Sequence, residues 1–244
     1  MRHFAEIAYK GTQFHGWQRQ RNSRSVQEAI EEGLSMVLRQ ETPIMGCGRT
    51  DTGVHASQYF FHFDSDKIFP KNFIDRMNKV LGDNIAVKRI FPVKEDAHAR
   101  FDAIKRTYEY YIGTTKNPFE NDLVWYYPYP AQLDLQKMNK IAGLLRQYED
   151  FLPFCKTKSD AKTMKCELSR AEWIYDKGKQ QYVFHISADR FLRGMVRLIV
   201  GACVRYSRGK ISFEDIQSAM EKQMPLKKSF SAPASGLFLT KVEY

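Results

Sequence analysis

The stretch MGCGRTDTGVHAS, residues 45–57, is the part of the sequence from which the fold can be worked out. It contains Gly46, Gly48 and Gly53, and it shows neither the alternation of a strand nor the spacing of a helix. Glycine permits positive φ and the close approach of another backbone. We therefore predict a glycine-rich bend between regular elements and call residues 45–57 the aspartate bend, after Asp51 at its centre.

The chain on either side of the aspartate bend shows clear periodicity. Ser25-Val26-Gln27-Glu28 has the pattern of a capping box that opens a helix, and Gly82 is suited to closing a second one. Hydrophobic spacing predicts, in order, a strand at 3–9, a helix from Ser25, a strand at 58–63, a helix over 73–81 and a strand at 85–91. The first half therefore reads as β-α-β-α-β.

The second half repeats this mixture of strands and helices. The patterns predict strands at 106–113, 167–176, 180–188 and 236–244, and helices over 135–145, over 190–206 and from Ser212. We therefore expect an α+β fold of two domains, 1–103 and 104–244, each a mainly antiparallel sheet backed by helices.

Composition restricts the class of protein. No apolar run approaches the roughly 20 residues that span a bilayer, and the N-terminus lacks the apolar block of a signal peptide. The four cysteines are scattered without a C-x-x-C pair, and the six histidines form no H-x-x-x-H or H-E-x-x-H pattern. We expect a cytoplasmic protein without a metal site and without membrane contact.

The charge is strongly basic. Thirty-eight Lys and Arg against 28 Asp and Glu give a formal net charge of +10. The basic runs are RQRNSR (19–24), RIFPVK (89–94), KTKSDAKTMK (156–165), RFLRGMVR (190–197) and PLKK (225–228). Such a chain is expected to attract polyanions, although a solvated basic surface would give the same composition.

Two interpretations of Asp51 stand open on chemistry alone. Asp and Thr often bond their own backbone in turns, so Asp51 between Thr50 and Thr52 can simply stabilise the bend. Otherwise it acts as a carboxylate, that is, as a nucleophile or an electrostatic stabiliser. His55 adds nothing as a base, because a carboxylate is already ionised at neutral pH, and it is more simply a structural histidine beside an apolar strand.

Six motifs in one order along the chain resemble those of the tRNA pseudouridine synthase A family. The signature GRTDTGVHA of the aspartate bend matches that family without a mismatch. The others are YKGTQFHGWQRQ (9–20), HARF (98–101), RTYEY (106–110), MVR with Gly201 (195–201) and ASGL (234–237). The sequence departs from the family pattern at Lys10, at Leu81-Gly82 and at Asp189-Arg190, which bears on how RNA is gripped.

This resemblance implies an isomerase that converts uridine to pseudouridine at positions thirty-eight, thirty-nine and forty of the anticodon stem-loop of tRNA. It implies a homodimer with a basic RNA-binding cleft between the two domains, and no cofactor. Asp51 would be the catalytic nucleophile, and Tyr108 would stack on the target base and is a candidate for removing its C5 proton. Arg197 would pair with Asp51, and Leu237 would pack the pocket.

The RNA contacts are a looser expectation. The target base must leave its stack to react, so a basic cleft would hold the phosphates while an aromatic ring receives the base. The candidates for this cleft are Arg19, Arg21, Arg24, Arg49 and Arg100.

Two rival functions remain open. One is a tRNA-binding protein in which Asp51 only holds the turn. The other is an Asp-dependent glycosidase or nucleosidase, although such enzymes commonly need two flanking carboxylates and no second acid accompanies Asp51 locally.

Overall fold

The fold is described from a computed structural model, for residues 1–156, 162–227 and 229–244. The chain divides into two compact units, which we call the first unit (Met1–Ile104 with Phe238–Tyr244) and the second unit (Lys105–Leu237). The final strand was expected in the C-terminal domain 104–244. It lies instead with the first unit, because its residue Phe238 pairs with His55 at the end of the aspartate bend.

Nine strands and five helices form the regular structure of the described residues. The strands are β1 (Arg2–Tyr9), β2 (Met45–Gly46), β3 (His55–Asp64), β4 (Ile85–Pro92), β5 (Lys105–Gly113), β6 (Trp125–Tyr126), β7 (Leu168–Asp176), β8 (Gln181–Ala188) and β9 (Leu237–Glu243). The helices are α1 (Val26–Leu38), α2 (Phe73–Leu81), α3 (Leu135–Leu145), α4 (Met195–Ser207) and α5 (Phe213–Lys222). The α+β class is therefore confirmed.

The sheet of the first unit has the order β4-β1-β3-β9, with the short β2 paired to β3. All of these pairs are antiparallel except β3 with β9. Helix α1 begins as predicted, because the Ser25 hydroxyl accepts the Glu28 N–H at 3.2 Å. Helix α2 ends as predicted at Gly82, whose φ of 65° ordinary residues rarely adopt.

The sheet of the second unit has the order β5-β8-β7, all antiparallel, with β6 parallel to β5. A turn joins β7 and β8, with Gln180 at a φ of 53°. Helix α3 packs on β7 and α4. Trp173 of β7 stacks on Phe184 of β8 at 4.8 Å, and both rings are buried.

The predicted bounds differ from the structure in three places. Helix α4 begins at Met195 rather than at residue 190, because Gly194 has a φ of 70° and so interrupts helical geometry. Residues 45 and 46, predicted as part of an irregular bend, pair with β3. Gly236 ends a short 3₁₀ turn (Ala234–Gly236) instead of beginning the last strand. Within the described ranges, no helix is long and apolar enough to cross a membrane.

Candidate active site

The aspartate bend leaves the sheet of the first unit and returns to it within eight residues. Its entry continues the sheet, because the Cys47 N–H donates to the Phe60 carbonyl at 2.8 Å. Its exit is a four-residue turn in which the Val54 N–H donates to the main-chain carbonyl of Asp51 at 3.1 Å. Gly53 is the third residue of this turn and has a φ of 77°. Asp51, which is half-exposed, is therefore the first residue of a closed turn.

The three glycines of the aspartate bend do different things. We expected all three to serve positive φ or close approach, yet only Gly53 has a positive φ. Gly46 serves close packing, because an ideal Cβ there would lie 2.1 Å from the Tyr59 hydroxyl oxygen and 2.5 Å from the Trp17 ring. Within the part of the chain that the structure describes, a Cβ on Gly48 would meet no atom within 4 Å. Neither backbone strain nor crowding therefore explains the glycine at position 48.

The opening motif of the chain is the scaffold of the aspartate bend. Two groups of this motif hold Thr50: the Tyr9 hydroxyl shares a hydrogen bond with its Oγ1 at 2.9 Å, and the Trp17 N–H donates to its carbonyl at 3.2 Å. The Phe14 carbonyl accepts the Gly53 N–H at 3.3 Å. The residue before Asp51 and the second after it are thus tied to one segment.

Sequence reasoning missed this scaffold. In the sequence, Tyr9 and Trp17 belong to the opening motif and Tyr59 to a predicted strand, and no contact among the three was predicted. In the structure Trp17 stacks on Tyr59 with ring centroids 4.1 Å apart, and Tyr9 meets Tyr59 edge-on at 5.6 Å. The available signal was the crowding of aromatic residues in 9–17 and 58–63.

His55 is a structural residue, as expected. It is buried, its Nδ1 accepts the Gly11 N–H at 3.0 Å, and its ring stacks on Phe238 at 4.5 Å. Gly11 must be glycine for this contact, since a Cβ would lie 1.9 Å from the Val54 carbonyl oxygen. His55 therefore anchors the exit of the aspartate bend to the 3₁₀ turn after β1 (Gly11–Gln13) and to β9.

The candidate RNA-binding arginines differ in their surroundings. Arg19 forms ion pairs with Glu28 at 3.6 Å and Glu31 at 3.2 Å, and Arg24 pairs with Glu32 at 3.2 Å. These acids stand along α1, so Arg19 and Arg24 are partly neutralised within the chain. The side chain of Arg21 is exposed. The Arg24–Glu32 pair is exposed on both sides, and exposed ion pairs contribute little stability, so a phosphate can compete for Arg24.

The other two arginines sit on rigid backbone. Arg49 is exposed within the aspartate bend. Arg100 lies in a turn, and its main-chain N–H donates to His98 Nδ1 at 3.1 Å. The N–H of the preceding residue, Ala99, donates to the buried His62 Nδ1 at 3.0 Å. The Arg100 guanidinium lies 5.5 Å from the exposed Phe101 ring. Parts of the basic runs 156–165 and 225–228 fall outside the described residues.

Tyr108, in the second unit, lies on β5 opposite Ile186 of β8. Its ring is half-buried and meets Phe191 edge-on, with centroids 5.1 Å apart. Its face is therefore not enclosed on every side, and an aromatic ring in this setting can stack on a planar base.

Arg197 is held by the main chain of the second unit. It lies in the first turn of α4, and its Nε–H donates to the Ala232 carbonyl at 2.7 Å while the Ala232 N–H donates back to the Arg197 carbonyl at 3.0 Å. Gly201, one turn later, allows this approach, since a Cβ there would lie 1.7 Å from the Phe230 carbonyl oxygen. Arg197 is thus half-buried and fixed rather than a solvated charge on a helix.

Tyr110 contacts the main chain between Ala232 and Leu237. Its hydroxyl donates to the Pro233 carbonyl at 2.8 Å, and its ring leaves no room for a Cβ on Gly236, which would lie 2.9 Å from two ring atoms. Burial raises the pKa of Tyr110 well above its ordinary value, and the charge of Arg197 opposes that rise. Leu237 follows directly and is buried. Arg197 is therefore bonded to the same stretch of main chain, residues 230–237, that carries Leu237.

Comparison with known proteins gives a consistent result. The model of a family described as tRNA pseudouridine synthase matches residues 5–102 and 148–244, which include Asp51, Arg197 and Leu237 but not Tyr108. Proteins called tRNA pseudouridine synthase A are similar along the whole chain. The one from Bacteroides thetaiotaomicron is 45% identical over 100% of this chain and 90% of its own. One from Staphylococcus aureus is 34% identical over 99% and 91%.

Proposed function

Because the chain belongs to the tRNA pseudouridine synthase family and isomerises uridine to pseudouridine in tRNA, we propose that its targets are positions thirty-eight, thirty-nine and forty of the anticodon stem-loop. We propose Asp51 as the nucleophile. The observation that carries this assignment is the family signature folded as a closed turn that begins at the half-exposed Asp51.

The reaction moves one bond and one proton. The N1–C1′ bond breaks, the uracil turns, C5 bonds to C1′, and the proton lost from C5 is balanced by one gained at N1. No electrons are gained or lost overall, so the proposal includes no redox cofactor and no metal. Asp51 assists the cleavage covalently by attacking the nucleotide, and the bond so formed breaks again by the time C5 is bonded to C1′, which returns the free carboxylate.

Tyr108, Arg197 and Leu237 have distinct proposed roles. The Tyr108 ring stacks on the extruded uracil and its hydroxyl takes part in removing the C5 proton. Arg197 pairs with the Asp51 carboxylate through its opposite charge. Leu237 packs against the base. The proposal also includes a homodimer, and a basic cleft that holds the RNA with the help of the arginines named above.

The test uses tRNA transcripts carrying tritium at C5 of uridine. We expect tritium release together with a C-glycoside product from a transcript with uridine at the three positions. A transcript with cytidine at all three should release none. Release of free uracil would indicate a glycosidase instead, and binding without any release would indicate a tRNA-binding protein.

Tyr108→Phe separates stacking from proton transfer, because the ring stays and only the hydroxyl is lost. We expect unchanged tRNA affinity and a single-turnover rate lowered by about 10²-fold or more, the typical contribution of a positioned proton acceptor. Single-turnover kinetics at saturating enzyme measure this. An unchanged rate would remove the hydroxyl from the mechanism and leave Tyr108 as a stacking platform.

A further inference from the structure

Gly48 is a glycine that the fold does not require. A Cβ there would meet no atom of the described residues within 4 Å, and its φ lies outside the range that disfavours other residues. Gly46 and Gly53 in the same bend have a steric and a conformational reason, respectively. Glycine loses more freedom on folding than any other residue, so it costs stability wherever alanine would fit.

The main chain at Gly48 is also held in place. The Tyr59 hydroxyl donates to the Gly48 carbonyl at 2.5 Å, and the Gly48 N–H donates to the Tyr59 hydroxyl oxygen at 3.4 Å. The Tyr59 ring is fully buried and stacked on Trp17. Tyr59 therefore holds the main chain at Gly48 in a position that leaves the space over its Cα open among the described residues.

Gly48 lies three residues before Asp51, next to the exposed Arg49. We propose that the missing side chain at Gly48 admits the sugar-phosphate backbone of the tRNA beside the reacting uridine, so that Gly48 is a substrate-contact position of the aspartate bend. The close approach of a ligand backbone is a common reason for glycine. This inference rests on the proposed function, because it takes the bend as the place where tRNA is bound.

The experiment compares three alanine variants. Gly48→Ala carries the proposal. Gly143→Ala is the matched control, since Gly143 is exposed on α3, has no positive φ and has open space around its Cα. Gly46→Ala is the steric contrast. Thermal unfolding reports on the fold, and binding to tRNA is measured with Asp51→Asn added to every variant, so that affinity is read without turnover.

We expect Gly143→Ala to unfold at the same or a higher temperature and to bind tRNA as the parent does. Gly48→Ala should also keep or raise the unfolding temperature, yet its Kd for tRNA should rise at least about fivefold, the effect of one methyl group pressed into a tight contact. Gly46→Ala should lower the unfolding temperature.

Two results would overturn the proposal. One is a Gly48→Ala protein that binds tRNA as tightly as its background. The other is a Gly48→Ala protein that is destabilised or misfolded in the manner of Gly46→Ala, which would mean that the fold itself needs this glycine. The binding measurement does not depend on whether the protein forms pseudouridine. If the parent forms no pseudouridine while Gly48→Ala still weakens tRNA binding, the proposed function fails and the contact at Gly48 stands.

Discussion

Acid should destabilise the fold through His62, which holds the turn that carries Arg100. His62 is buried on β3, and its Nδ1 accepts the Ala99 N–H at 3.0 Å, so protonation would break this bond. Burial lowers the pKa of His62 to about 4, and the positive charge of Arg2 and the neighbouring His98 add to the effect. The neutral form is therefore strongly favoured in the folded protein.

The sign and size of the effect follow from linkage. The unfolded chain takes up a proton at His62 near its ordinary pKa of 6.5, whereas the folded chain does so only near 4. The contribution of His62 is therefore complete above pH 6.5 and is lost as pH falls toward 4. With 1.36 kcal/mol per pKa unit, the free energy of unfolding should fall by about 2 kcal/mol between pH 7 and pH 5 from this group alone.

Urea unfolding at pH 7 and pH 5 measures this loss. His62→Asn keeps an acceptor but removes the titration, so the loss of stability should be about 2 kcal/mol smaller than in the parent. His15→Asn, at an exposed position, is the control and should behave as the parent does. All three proteins contain the same carboxylates, so the effect of carboxylate protonation cancels when their losses of stability are compared. Equal losses in the parent and His62→Asn would refute the reasoning.

Two further predictions concern the second unit and the RNA contacts. Tyr110→Phe leaves the half-buried Pro233 carbonyl without its phenolic donor, so the free energy of unfolding should fall by about 0.5–1.5 kcal/mol, and the Ala232 amide should show faster hydrogen exchange. Arg21→Ala should flatten the slope of log affinity for tRNA against log salt by about 0.7–0.9, and Arg24→Ala by less, because Glu32 already offsets its charge.

Both of these predictions have direct controls. Tyr182→Phe also removes a phenol that donates to a main-chain carbonyl, that of Leu133 at 3.2 Å, and it should leave exchange at Ala232 unchanged. Faster exchange in both variants would mean that neither hydroxyl acts locally. A parental salt slope for Arg21→Ala would place Arg21 on solvated surface and move the RNA contacts to other basic runs.

Elements with local signals could be predicted from the sequence. Ser25 and Ser212 start α1 and α5 because their hydroxyls accept amides three residues on, a relation visible within four letters. Gly82 ends α2 for a similarly local reason. The glycines around Asp51 were sufficient to predict the bend. Chemistry alone left a structural turn and a catalytic carboxylate equally open, and only the resemblance to a known family favoured the catalytic interpretation.

Features that depend on distant contacts could not be predicted. Strand β9 pairs with β3, which is far away in the chain, and periodicity carries no signal for such a pairing. Gly46 and Gly48 look alike as letters, and only the stacked Trp17 and Tyr59 make one of them obligatory. The fixed position of Arg197 likewise depends on Ala232, which lies 35 residues further along.

The role of Asp51 is tested most directly by separating binding from turnover. In Asp51→Asn the closing bond of the turn persists, because the Val54 N–H donates to the main-chain carbonyl and not to the carboxylate. We therefore expect parental unfolding and parental tRNA affinity. Pseudouridine formation should fall by at least about a thousandfold, as for removal of a nucleophile. Turnover of Asp51→Asn at more than a few per cent of the parental rate would contradict the account.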